Sequence, residues 1–232
     1  MPFRRDIQKT NLIVLKDGTA MGAKTDTLLA TLKLQPVVPV LIVDDAKSAV
    51  LLARALVAGG LKAIEITMRT PAALEAVRAV ADEVEGAVVG AGTILNSKHF
   101  EAAVAAGSQF IVSPGTTLEL LDTARASDIP LLPGAATASE VMALREEGYQ
   151  VLKFFPAEQA GGAAYLKSLS SPLAGTLFCP TGGISLKNAR DYLSLPNVIC
   201  VGGSWVAPKE LVAAGDWAGI TKLAAEAAAL KG

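Results

Sequence analysis

The chain is short of the residues from which many sites are built. Its 232 residues include one histidine, His99, and two cysteines. A single imidazole all but excludes a multi-histidine metal centre and weakens any Ser-His-Asp arrangement. Two cysteines cannot form a disulfide framework, which fits a reducing cytoplasm. Charge of one sign is also missing. Lys plus Arg number 21 against 22 Asp plus Glu, a net charge of −1. Sequence-independent nucleic-acid binding needs a basic footprint that this chain does not have. No apolar run approaches the roughly 20 residues of a membrane-spanning helix. Aromatic residues are only 5%, so aliphatic side chains and alanine must fill the interior. They suffice: 51% of the chain is hydrophobic and 19% charged, a composition that buries a sizeable core and excludes disorder. The length suits one large α/β domain or barrel.

Residues 1–25 stand apart. They carry Arg4, Arg5, Lys9, Lys16 and Lys24 around one apolar run, Leu12–Leu15. That run is too short for the roughly 7–15 apolar residues of a secretory signal, and Asp6 and Asp17 interrupt the basic character of an import segment. The segment reads as a loosely attached extension, with the domain proper at 26–232.

From residue 32 the chain repeats one unit: a short apolar run, a turn, then a longer Ala/Leu/Val-rich stretch often closed by glycine. The apolar runs are Val37–Val43, Ala63–Met68, Ala87–Ala91, Phe110–Val112, Pro130–Leu132, Val151–Phe155, Leu177–Cys179 and Val198–Val201. Short, aliphatic runs of this kind are buried parallel strands. Between them, Val50, Ala53, Leu56 and Val57 share a helical face, as do Leu74, Val77, Val80, Ala81 and Val84. Thr70-Pro71 offers a cap followed by proline at the first helical position. Thr137–Glu140 is a capping box, and Gly60, Gly86, Gly107 and Gly148 are helix stops. Alternating strands and helices imply right-handed parallel crossovers, and eight rounds predict a single-domain (β/α)8 TIM barrel. The rival is an open doubly wound sheet. It expects a glycine fingerprint after its first strand, where this chain has Val43-Asp44-Asp45. Gly90-Ala91-Gly92 follows the third run without the third glycine, and no GxxxxGK[ST] exists.

Two apolar runs carry charge. In Ile64–Thr70, alternation puts Glu65, Thr67 and Arg69 on one face and Ile64, Ile66 and Met68 on the other. The isoleucine face suits the helices outside the barrel, so Glu65 and Arg69 point inward and upward. In Val151–Pro156, Lys153 is the only lysine inside an apolar run. Lysine is almost never buried without a partner. One reading is a structural ion pair between Lys153 and Glu65 across the barrel. The other is a Schiff-base nucleophile, which must be an uncharged amine. Moving its pKa from ~10.4 to ~7–8 takes roughly 3–5 kcal/mol of differential stabilisation. Burial beside Phe155 pushes that way; an ionised Glu65 pushes back and Arg69 offsets it. On that reading Glu65 should not sit as a tight, dry pair with Lys153, and a water between them would let the carboxylate shuttle protons.

Glycines form a third grouping. Thr181-Gly182-Gly183 follows the seventh run and Gly202-Gly203-Ser204 the eighth. Barrels bind phosphate with these two loops and a helix N-terminus, and Ser185 and Ser204 would add hydroxyl donors. The plainer alternative is two tight turns that need glycine sterically. Thr93 and Ser113-Pro114 end the third and fourth runs and either line the mouth or cap helices. Cys179 and Cys200 read as core, His99 as surface, Trp205 and Trp217 as packing, and Lys187 and Arg190 as a solvated helix face.

Taken together, these segments resemble the 2-keto-3-deoxy-6-phosphogluconate (KDPG) and 4-hydroxy-2-oxoglutarate (KHG) aldolases. The resemblance runs from about Leu32 to about Leu211. It is carried by Val37–Val40, Glu65–Thr70, Gly90–Thr93, Val112–Gly115, Leu152–Glu158, Cys179–Gly183 and Val201–Trp205. Met68 departs from it, where leucine is expected. The resemblance implies that Lys153 forms the imine and Glu65 is the general acid/base. It implies that Arg69 and Thr93 hold the pyruvate carboxylate, and that Phe155 and Pro114 line the pocket. It assigns the phosphate to Gly182, Gly183, Gly203 and Ser204, with Thr181 nearby. It further implies a cytoplasmic homotrimer of the Entner–Doudoroff pathway with no metal or cofactor. The expected partner is a phosphorylated keto acid, and neither nucleic acid nor membrane. An isomerase using Glu65 alone would leave Lys153 unexplained, and a non-catalytic phosphosugar-binding barrel would show no covalent chemistry.

Overall fold

A computed structural model describes residues 21–230. Its strands are β1 (Val37–Leu41), β2 (Ala63–Thr67), β3 (Val88–Gly92), β4 (Phe110–Val112), β5 (Leu131–Leu132), β6 (Gly134–Ala135), β7 (Val151–Phe154), β8 (Leu177–Pro180) and β9 (Val201–Gly203). A helix over 21–32, here α1, precedes them. The connecting helices are α2 (Ala46–Ala58), α3 (Ala73–Glu83), α4 (Ser97–Ala105), α5 (Leu118–Ala126), α6 (Ala138–Glu146), α7 (Gly162–Leu169) and α8 (Ala189–Leu193). The chain ends with α9 (Lys209–Ala214) and α10 (Trp217–Ala228).

All strand pairs are parallel. One run is ordered β5-β4-β3-β2-β1-β9 and the other β6-β7-β8. The two runs are one closed wall. β5 and β6 are a single strand divided at Pro133, whose ring nitrogen has no hydrogen to donate. The ladder continues past it: Ser113 N–H donates to Leu132 O on one side, and Lys153 N–H donates to Pro133 O on the other. The opposite seam closes through parallel bridges Phe178↔Val198 and Thr181↔Gly202. The predicted (β/α)8 barrel is therefore present. The eighth strand is displaced from its expected place. It is Val201–Gly203, with Val198 making a single bridge, so Gly202 and Gly203 belong to a strand and not to the loop after it.

Helix ends follow local chemistry. Asp45, Asn96 and Thr117 accept backbone N–H bonds from Ser48, His99 and Leu120. Thr137 and Glu140 form the expected reciprocal box. Gly60, Gly86, Gly107 and Gly148 all have φ between 80 and 95°, as helix stops require. The Thr70 cap does not form. Its Oγ1 donates instead to Val43 O at 2.6 Å, and α3 starts later, behind Ala72.

Alternation along the strands splits the core in two. Outward side chains such as Ile64, Ile66, Val89, Ile111, Leu152 and Phe154 pack beneath the helices. Inward ones form a separate cluster of Val38, Phe110, Val112, Leu132, Val151, Cys179 and Cys200. Leu28 and Leu32 of α1 complete that cluster, so α1 plugs the barrel's lower end. Lys24 Nζ fastens α1 by donating to Ala124 O and Arg125 O at 3.0 and 2.9 Å, the free carbonyls at the end of α5. Residues 21–25, expected in the loose extension, are thus part of a packed helix. Residues 1–20, the rest of that extension, lie outside the described residues. Among the described residues no helix is long and apolar enough to cross a membrane.

Candidate active site

β2 and β7 occupy opposite sides of the barrel, and their inward charged residues meet across it. Lys153 Nζ donates to Glu65 Oε1 at 3.3 Å. Both side chains are only 4% exposed. The ammonium also lies 5.3 Å from the centre of the Phe155 ring, within cation–π range. The expected water-bridged spacing is thus replaced by direct contact. The two side chains reach toward each other from facing strands, so the barrel's width sets their separation.

Glycine creates the room for this pair. Gly90 and Gly92 face inward on β3, opposite Glu65 and Thr67 in the β2 register. A Cβ on Gly92 would stand 1.9 Å from Glu65 Oε1. A Cβ on Gly90 would strike the Phe110 ring at 2.4 Å. Gly90-Ala91-Gly92 is therefore no nucleotide turn. It is a notch in the wall that seats a carboxylate above and a phenyl ring below. The signal was legible as glycine on the same strand face as a neighbouring strand's charge. Thr67, fully buried, donates to Leu41 O at 2.8 Å and ties β2 to β1 at the level of the pair.

At the rim, Arg69 Nε donates to Thr93 Oγ1 at 3.0 Å. Thr93 has φ 59° and is the one non-glycine residue with positive φ among the described residues. For a β-branched residue this costs about 1–3 kcal/mol, and such strain collects at functional positions. The Pro114 backbone packs against the strand beside Lys153. Its carbonyl oxygen would lie 2.3 Å from a Cβ on Gly134, and Gly134 is the β6 partner of Lys153.

Arg69, Phe155, Thr181, Gly182, Gly183, Gly203 and Ser204 line one cavity of about 750 Å³. Of the carboxylate-side candidates, Arg69 and Phe155 share this space with the phosphate-side ones. Thr93 and Pro114 do not line it, and the Lys153–Glu65 pair lies behind it, with Lys153 against the Phe155 ring. Gly182 and Gly183 have φ 104 and 75°, backbone that only glycine adopts readily. Gly202 and Gly203 are glycine for another reason: a Cβ there would meet Thr181 Oγ1 at 2.3 Å and the Trp205 ring at 1.8 Å. The tight-turn alternative does not describe that second pair, which lies in β9 and is glycine to admit neighbouring side chains; both glycines line the cavity. Neither loop leads directly into a helix. α8 begins at Ala189 and α9 at Lys209, so the expected helix N-terminus is not at the glycines. Ser185 is not a free donor either, since its N–H and hydroxyl both bond Asn188 Oδ1. Lys209, a cation that sequence reasoning passed over, lines the same cavity. Cys179 and Cys200 are buried, with sulfurs 3.5 Å apart.

Comparison with known proteins follows this geometry. The family model described as "KDPG and KHG aldolase" matches residues 28–223. A relative from Pseudoalteromonas atlantica named 2-dehydro-3-deoxy-phosphogluconate aldolase is 51% identical over 194 residues, 84% of this chain and 90% of its own. A KDPG aldolase crystal structure from Legionella pneumophila superposes with a TM-score of 0.84 at 44% identity, covering 86% of this chain and 97% of that one. That crystal holds pyruvate captured as a covalent carbinolamine intermediate. A Zymomonas mobilis KDPG aldolase structure with 3-phosphoglycerate has a TM-score of 0.82 at 50% identity, covering 87% and 95%.

Proposed function

The chain belongs to the KDPG and KHG aldolase family and is an aldolase, and we propose that it cleaves 2-keto-3-deoxy-6-phosphogluconate to pyruvate and glyceraldehyde 3-phosphate through a Schiff base on Lys153. The observation that carries this reading is that a buried amine and a buried carboxylate meet inside the barrel, each 4% exposed. Their direct contact replaces the separation expected of the nucleophile and makes a proton transfer between them the first step.

An ion pair in direct contact is one proton transfer away from a free amine and a carboxylic acid. Glu65 takes a proton from the Lys153 ammonium, and the amine attacks the C2 ketone. Glu65 then returns a proton so that the hydroxyl of the carbinolamine leaves as water. The resulting iminium withdraws electrons from C3. Glu65, again a carboxylate, removes the C4 hydroxyl proton as the C3–C4 bond breaks. Glyceraldehyde 3-phosphate departs, the enamine is protonated at C3, and water hydrolyses the imine to pyruvate and regenerates Lys153.

Arg69, held by Thr93, takes the substrate carboxylate at one end of the cavity. Phe155 and Pro114 flank the three-carbon pyruvyl unit. Thr181, Gly182, Gly183, Gly203 and Ser204 take the phosphate at the other end through backbone N–H groups and hydroxyls. The two-ended arrangement supports a phosphorylated substrate. Cleavage of KHG to pyruvate and glyoxylate uses the same amine, carboxylate and guanidinium, and the family description names both substrates. The reading includes a cytoplasmic homotrimer serving the Entner–Doudoroff pathway, as the resemblance implies.

The test is kcat/KM for KDPG against KHG, with pyruvate release followed by a coupled dehydrogenase. Preference for KDPG is expected. Equal or reversed preference would remove the phosphate assignment while leaving the Schiff base in place.

A further inference from the structure

A carboxylate stands beside the glycines assigned to phosphate. Glu158 N–H donates to Gly182 O at 3.1 Å, just after Ala157 N–H donates to Thr181 O at 2.8 Å. The Glu158 side chain then crosses Gly183: its Cγ and Cβ lie 2.6 and 2.7 Å from where a Gly183 Cβ would be. Asn188 Nδ2 holds the same turn from the far side, donating to Gly183 O at 3.1 Å. An anion placed here opposes binding of a phosphate dianion, because like charges repel most strongly where water is scarce.

The structure also shows what restrains it. Tyr192 of α8, 1% exposed, donates its phenolic hydroxyl to Glu158 Oε1. Burial first, and then this bond to a carboxylate, push the phenol well above its ordinary range, so it remains a donor. The expected sequence of uses in the mechanism leaves both residues without a task. We propose that Tyr192 and Glu158 are positioning residues for the phosphate end: Tyr192 anchors the Glu158 carboxylate away from the cavity, and the anchored side chain braces Gly182-Gly183. The inference rests on reading those glycines as the phosphate site. Substrate recognition then depends on a residue that touches no substrate atom.

The experiment measures KM and kcat for KDPG and KHG in wild type, Tyr192→Phe, Glu158→Asp and the double variant Tyr192→Phe/Glu158→Gln. Tyr192→Phe removes only the donor. It is expected to raise KM for KDPG about tenfold, the size of one hydrogen bond to a charged group. kcat should hold, and both constants for KHG should stay as in wild type. Glu158→Asp keeps the charge but falls short of Tyr192, and it should act the same way even if Tyr192→Phe folds poorly. The double variant removes the released charge and should bring the KDPG KM back toward wild type. An unchanged KDPG KM in both single variants overturns the proposal, as does an equal loss for both substrates. A wild type that does not distinguish the two substrates, and that inorganic phosphate does not inhibit, overturns the phosphate reading beneath it.

Discussion

The barrel interior has two storeys built by the same strands. On β7, Val151 belongs to the apolar cluster below and Lys153 to the pair above. On β8 Cys179 lies below, and Thr181, just past the strand's end, lies above and lines the cavity. The lower storey is filled by Leu28, Leu32, Val38, Phe110, Val112, Leu132 and Val151, with no charged group among them. The upper storey has Glu65, Thr67, Lys153 and Thr181, and glycines where side chains would otherwise close it. Both storeys obey one alternation rule, since residues two apart share a face. What separates packing from chemistry is therefore height along the strand, and a step of two residues is enough to change it.

Substitutions on the two storeys should have opposite signatures. Glu65→Gln keeps shape and removes the base. Turnover is expected to fall about 10²–10⁴-fold, with a much smaller change in binding at the phosphate end, as read from inhibition by inorganic phosphate. Unchanged turnover would remove Glu65 from the mechanism. Leu32→Ala acts on the plug. It should destabilise the fold by about 2–5 kcal/mol in a urea titration while kcat per folded molecule stays at the wild-type value. A fall in kcat alongside stability would show that the storeys are coupled and would break the comparison.

The smallest effect is the lower end's share of an alkaline pH dependence, to which the raised phenol of Tyr192 also contributes. Tyr149 is buried against α1, lining a small cavity with Met21 and Leu28. Burial, helped by Glu147 and opposed by Arg125, pushes its hydroxyl up to about 12. A phenol raised in this way contributes stability that is complete below its ordinary value of about 10 and is lost as pH rises toward about 12. Tyr149→Phe should flatten that alkaline loss in urea midpoints. An alkaline arm of the same steepness in the variant would assign it elsewhere.

How much of this was readable in advance divides along the same line. Strand order, the barrel, the inward facing of Glu65 and Lys153 and the capping box at Thr137 all follow from periodicity and local hydrogen bonding, and the structure has them. Periodicity is a property of a few neighbouring residues, so sequence carries it. The misplaced eighth strand has a different origin: Val198–Val201 is the more apolar run, but Gly202 and Gly203 carry the pairing with β1 because Thr181 and Trp205 need the space beside them. The notch at Gly92 and the Tyr192–Glu158 bond depend on which residues distant in sequence become neighbours. Thr70 looked like a cap from its own neighbours, yet Val43 O, brought beside it by the barrel, takes its hydroxyl. The direct Lys153–Glu65 contact was one of two alternatives, and only the barrel's width decides between touching and bridging.

The central claim is that the amino group held against Glu65 is the nucleophile. It is tested by incubating the protein with pyruvate and borohydride and mapping the reduced adduct by mass spectrometry. The account predicts one pyruvyl adduct, on Lys153, absent from Lys153→Ala. No adduct, or an adduct on another lysine, would contradict it.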